Sequence, residues 1–137
     1  MAGELQLLKR TLTESKIPSQ VYLYHGTTKD TAVHLSKTGW KTGDSIVGAN
    51  AGNPRLLYLT TTIDNARWYA EENGGDTVIR VKLNTKDLIF DPEDGNPDLF
   101  DYSIDVAIEK LMKDKNTIAN FATSKPIPSK NIKIIKE

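Results

Sequence analysis

The sequence predicts an α+β domain, and three observations carry that prediction. Two short apolar runs, 21–25 and 55–61, and one alternating stretch, 76–84, read as strands. Amphipathic segments at helical spacing lie between and after them. The order of elements lacks the regular strand-helix-strand rhythm of a parallel sheet, which leaves a mixed α+β arrangement. Length agrees: 137 residues fit one domain, 1–137, able to bury roughly two-thirds of the surface its unfolded chain exposes.

Each element has its own local reason. Leu5, Leu8 and Leu12 stand at helical spacing among charges, which predicts an N-terminal helix within 1–18, ended by Pro18. In "VYLYH", 21–25, Val21, Leu23 and His25 share one face and Tyr22 and Tyr24 the other, where the two tyrosines are expected to pack against a helix. Thr28 is the expected cap of a helix that buries Ala32 and Leu35 and stops at Gly39. "GWKTGDSIVGANAGNP", 39–54, holds four glycines in sixteen residues and reads as a long loop, of a length that in a compact domain is usually functional or disordered. "RLLYLTT", 55–61, is the next strand, followed by a helix in "TIDNARWYAEENGG" with Thr61 and Asp64 as its capping box and Gly74 and Gly75 at its end.

The second half is read the same way. "DTVIRVKLN", 76–84, sets Thr77, Ile79, Val81 and Leu83 against Val78, Arg80 and Lys82, a half-buried strand. "DPEDGNPD", 91–98, is a turn-rich loop. A helix from Ser103 to Lys113 turns Ile104, Ile108 and Leu111 inward, and strand-like pieces at 117–123 and 131–136 flank "KPIP".

Composition narrows the function. Eighteen basic and eighteen acidic residues cancel, so no broad basic field is available for nucleic acid, and a protein partner is favoured over nucleic acid. Absence of cysteine removes disulfides, thiolate metal sites and cysteine nucleophiles, and two histidines without an HExxH spacing point to no metal site. Neither a signal-peptide pattern nor an apolar run of 18 residues occurs, so a soluble, cytoplasmic protein with no membrane partner is expected.

The candidate site begins at "HGTT". A histidine beside a glycine at a strand end brings a hydrogen-bonding ring and an unobstructed main chain to one point, a means of gripping a carboxamide and a nearby hydroxyl. Tyr58 lies opposite Leu57 and Leu59, and Tyr69 follows eleven positions later in "NARWYA"; two tyrosines from adjacent elements can sandwich a flat ring. Taken singly, these residues also fit an ordinary turn and ordinary core packing. His34, Trp40 and Trp68 are read as structural, with Trp40 at the start of the glycine-rich loop.

Together, H-G-T, the glycine-rich loop, Y-L-T-T and A-x-x-Y-A resemble the ADP-ribosyltransferase superfamily, in the His-Tyr-Glu branch that includes diphtheria-toxin-like and poly(ADP-ribose) polymerase-like enzymes. The resemblance spans about 21–136 and implies a split antiparallel β-sheet clamp with flanking helices, holding NAD as co-substrate. It implies that His25 bonds a ribose hydroxyl, that Gly26 holds the nicotinamide carboxamide, and that Tyr58 and Tyr69 enclose the ring. Thr27 and Thr60 become supporting polar groups, 42–54 the donor loop, and Arg55 a partner of the pyrophosphate. At the third catalytic position, seven residues before Ile127 of the I-P turn, Asn120 stands where the family carries glutamate.

The resemblance leaves several functions open. One is a mono-ADP-ribosyltransferase acting on a macromolecular acceptor, in the manner of bacterial or phage effectors and toxins, with Asn120 in a variant triad. Glu71, Glu72, Asp105 and Glu109 are alternative carboxylates, each also readable as a solvated helix face. Another is an inactive NAD-binding or interaction module. A third, a tRNA 2'-phosphotransferase-like enzyme, needs converging arginines, and the chain has only Arg10, Arg55, Arg67 and Arg80.

Overall fold

The computed structural model describes residues 19–41, 55–92, 103–114 and 118–135. Among them are six strands and three helices: β1 (Gln20–Thr27), α1 (Lys29–Thr38), β2 (Leu57–Thr60), α2 (Ile63–Glu72), β3 (Thr77–Asn84), β4 (Ile89–Phe90), α3 (Ile104–Lys113), β5 (Asn120–Thr123) and β6 (Ile132–Ile134). The strands form one open antiparallel sheet in the order β4-β5-β2-β1-β3-β6. The architecture is α+β, as expected. The N-terminal helix within 1–18, the loop 42–54 and most of 91–98 lie outside the described residues.

Local chemistry explains the helix ends. Thr28 Oγ1 accepts from Thr31 N at 3.2 Å at the start of α1, and Gly39, with φ 79°, closes it by donating to the Leu35 carbonyl at 2.8 Å. The cap of α2 is Thr62, not Thr61: Thr62 Oγ1 accepts from Asn65 N at 3.1 Å. Thr61 is drawn away because its hydroxyl accepts from Ala119 N at 3.0 Å, tying the end of β2 to β5. Ser103 caps α3 as expected.

The two sheet faces are covered by different elements. Leu23, Ile79, Val81 and Ile132 join Ala32 and Leu35 of α1, Leu57, Leu59, Phe121 and Ala107 and Ile108 of α3 in one buried cluster. Trp40 is enclosed in the same cluster, bridged through its backbone to Ile127, and its Nε1 is the one buried side-chain polar atom without a partner among the described residues. On the opposite face α2 lies directly on β1: a Cβ built on Gly26 would stand 1.8 Å from the Ala66 carbonyl oxygen and 2.7 Å from Ala70 N. Only glycine permits that approach.

Two packing expectations are corrected here. Tyr22 does not pack against a helix; it is half exposed, with the Arg80 guanidinium 4.5 Å from its ring centroid. Trp68 is exposed too, on the outer side of α2, with its ring edge-on to Tyr69 at 5.0 Å and 76°.

Candidate functional site

β1 pairs with β3 along its whole length, from Gln20↔Asn84 to Thr27↔Thr77, whereas its register with β2 is the single pair Tyr24↔Thr60. His25 and Gly26 are therefore inside a strand and not at its end, because the β3 ladder continues past them. The discontinuity lies on the other edge. Extending Tyr24↔Thr60 by two residues would set Gly26 opposite Tyr58, but the ladder has stopped, and the His25 ring takes the Tyr58 carbonyl at 2.7 Å instead. A seam thus divides β4-β5-β2 from β1-β3-β6.

Gly26 faces that seam with its main chain. Val78, its partner on β3, gives its carbonyl to Ile135 N at 2.8 Å and so turns its polar backbone groups toward β6. In an antiparallel pair that geometry sends the N–H and C=O of Gly26 the other way, toward β2. The glycine combines two roles, since α2 covers it and its backbone opens to the seam.

The chemistry of His25 follows from its one bond. A carbonyl only accepts, so Nδ1 carries the hydrogen and donates to Tyr58. Burial favours the neutral ring and holds the imidazole below its usual pKa, outweighing the Tyr58 carbonyl, whose hydrogen bond acts in the opposite direction. A neutral imidazole with Nδ1–H leaves Nε2 as an acceptor. His25 would therefore receive a ligand hydroxyl's hydrogen, not donate one.

Across the seam, one polar cluster gathers residues from three elements. Thr60 and Asn120 are cross-strand partners on β2 and β5. Asn65 Nδ2 of α2 lies 2.8 Å from Thr60 Oγ1 and 3.2 Å from Asn120 Oδ1, while Thr60 Oγ1 donates to the Ala119 carbonyl at 3.2 Å. Asn120 Nδ2 donates to the Tyr69 hydroxyl at 3.2 Å. Asn65 and Tyr69 are i and i+4 on α2, so one helix face delivers both. The amide of Asn120 can both give and take, which a carboxylate at this place could not.

The expected site residues are thus partly assembled. His25 and Gly26 meet β2 at Tyr58; Thr60, Tyr69 and Asn120 meet in the polar cluster. Tyr58 is half buried on the Thr60 face, opposite Ala122. Thr27 is buried at the end of β1 beside Gly75, where a Cβ would come 2.4 Å from the Thr27 carbonyl oxygen. Arg55 is exposed just before β2. Glu71, Glu72 and Asp105 are exposed, and Glu109, half buried, lies 3.7 Å from Lys113 Nζ on the same helix, so these acids occupy solvated helix faces.

Sequence reasoning missed Asn65 and Asp91, and read Thr61 as a helix cap and not as the tie to β5. Asp91 is buried, 4% exposed, just beyond β4. Its N–H donates to the Asn120 carbonyl at 3.2 Å, continuing the register Ile89↔Ala122, Phe90↔Phe121 by one pair, which places Asp91 beside Asn120. Nothing local marks an acid within "FDPEDG" as buried, because its partner strand is distant in the chain. Among the described residues no group of three or more histidine, aspartate or glutamate side chains could hold a metal ion, and no helix is long and apolar enough to cross a membrane. No protein-family model, curated protein or solved structure matches the chain.

Proposed function

We propose that the seam is an NAD site and that the protein is a mono-ADP-ribosyltransferase with a variant catalytic triad. The observation that carries this is the ladder break between β1 and β2, where His25, the Gly26 backbone and Tyr58 meet while Tyr69 and Asn120 bond to each other on the adjoining face. In this reading Gly26 N–H and C=O pair with the nicotinamide carboxamide, His25 Nε2 accepts a ribose hydroxyl, and Tyr58 and Tyr69 bracket the ring. Thr27 and Arg55 border the nucleotide.

The reaction breaks the bond between nicotinamide and C1' of the ribose. The bonding electrons leave with nicotinamide, positive charge develops on the ribose, and an acceptor nucleophile closes on C1' and releases a proton. What the protein supplies is position and charge complementarity. Asn120 orients the ribose, and the buried Asp91 beside it furnishes the negative charge that the family's glutamate provides at the position of Asn120. The acceptor is a macromolecule.

Incubation with NAD tests the reading, with nicotinamide followed by chromatography and melting followed alongside. NAD at 100 times its dissociation constant should stabilise the fold by about 2.7 kcal/mol. His25→Ala and Tyr58→Ala should abolish that stabilisation; an unchanged shift in both removes the site from the seam. A second reading, NAD binding without chemistry, draws on the commitment of the Asn120 amide to Asn65 and Tyr69. Stabilisation by NAD without nicotinamide release in the presence of lysate acceptors would select it.

A further inference from the structure

Net charge is zero over the chain, but the described residues gather cations on one part of the sheet. Tyr22, Arg80 and Lys82 share the outward face of β1 and β3, since Tyr22 is the partner of Lys82 and Tyr24 that of Arg80, and Arg80 is in turn paired with Lys133 of β6. A groove of about 640 Å³ runs over this face, lined by Tyr22, Arg80, Lys82, Lys130 and Lys133 with neutral residues, and no carboxylate among the described residues lines it. None of these four cations forms an ion pair among the described residues. Asp87 lines a smaller pocket that shares Lys82 and Asn84 with the groove, and it accepts from the Asn84 side-chain amide at 3.4 Å.

We infer that this groove binds single-stranded nucleic acid, with a base on the exposed Tyr22 ring and phosphates on Lys82, Lys130 and Lys133. Cations alone would suit any polyanion. The discriminating feature is Tyr22: an aromatic ring about half exposed, with the Arg80 guanidinium 4.5 Å and the Lys82 ammonium 6.0 Å from its centroid, is a stacking platform that a nucleobase matches and an acidic side chain does not. An unpaired strand suits it because its bases are free to leave their own stack. This differs from the protein partner that net charge favours, and it does not depend on the NAD reading.

Fluorescence anisotropy with labelled fifteen-residue oligothymidine tests this, with length-matched polyglutamate and duplex DNA as the other probes and no NAD present. Oligothymidine should bind tightest, with log affinity falling against log salt at a slope of about −2 to −3 for three to four phosphate contacts. Tyr22→Ala should weaken it about tenfold with the salt slope unchanged, and Lys82→Gln with Lys133→Gln should flatten the slope by about 1.4. Both sets are surface changes, and unchanged melting temperatures check that the variants fold. Polyglutamate or duplex binding as tightly as oligothymidine, or an unaffected Tyr22→Ala, overturns the inference, as does no binding at all. Stabilisation by NAD is read separately, so either conclusion can fail without the other.

Discussion

His25 donates its Nδ1–H to the Tyr58 carbonyl across 2.7 Å, and this side-chain bond stands where a backbone ladder between β1 and β2 would otherwise continue. The ring thereby pins two strands that part, and its other nitrogen is left as a hydrogen-bond acceptor.

Stability should depend on pH through this histidine. Above the ordinary value of 6.5 the ring is neutral in both folded and unfolded chains and adds no pH dependence. As pH falls through 6.5, the unfolded chain binds a proton that the folded one refuses, so stability declines until the lowered native value is passed and then levels. Thermal melts of wild type and His25→Asn from pH 8 to pH 5 should diverge in that window, the wild type losing more; parallel curves would show that His25 is not held neutral by the fold.

Gly26→Ala should cost about 3 kcal/mol, at the upper end of overpacking penalties, because the new methyl meets backbone atoms of α2 that cannot rotate aside. Its urea midpoint measures this. A loss under 1 kcal/mol would mean that α2 does not rest on β1 as described.

Tyr69→Phe removes the acceptor of the buried Asn120 amide and should cost about 1–2 kcal/mol while, in the proposed reading, the ring remains to bracket nicotinamide. The expected pattern is lower melting temperature with NAD stabilisation retained, whereas Tyr69→Ala loses both. If Phe also loses the NAD response, the hydroxyl and not the ring faces the ligand.

On the proposed mechanism, Asp91→Asn should lower nicotinamide release on the order of a hundredfold, the usual effect of deleting one charge-stabilising group, with NAD stabilisation little changed. Asn120→Glu alone should not raise activity, because two adjacent carboxylates cannot both ionise easily. Combining Asp91→Asn with Asn120→Glu should recover release above Asp91→Asn alone. Failure of the double variant to recover, in protein that still binds NAD, would remove Asp91 from the mechanism.

Much of the architecture was legible because its signals are local. The Thr28 cap, the Gly39 stop, the Ala32 and Leu35 stripe and the alternation of 77–83 all act within a few residues of one another, so periodicity and capping chemistry determine α1 and β3 from sequence alone. The same local reasoning misplaced the cap of α2 by one residue, because Thr61 and Thr62 are equivalent as sequence and only a bond from distant Ala119 separates them.

What the sequence determined by itself was the described elements other than the short β4, which it did not predict, and the candidate residues His25, Gly26, Tyr58, Tyr69 and Asn120. Tertiary structure decided the rest: that the ladder breaks after Tyr24↔Thr60, that His25 presents an acceptor, that Asp91 stands beside Asn120, and that cations of β3 and β6 gather around Tyr22. Each of these depends on strands paired across long stretches of chain. Pairing of that kind follows from the summed burial and hydrogen bonding of the whole sheet, and it leaves no mark on the few residues that any local pattern spans.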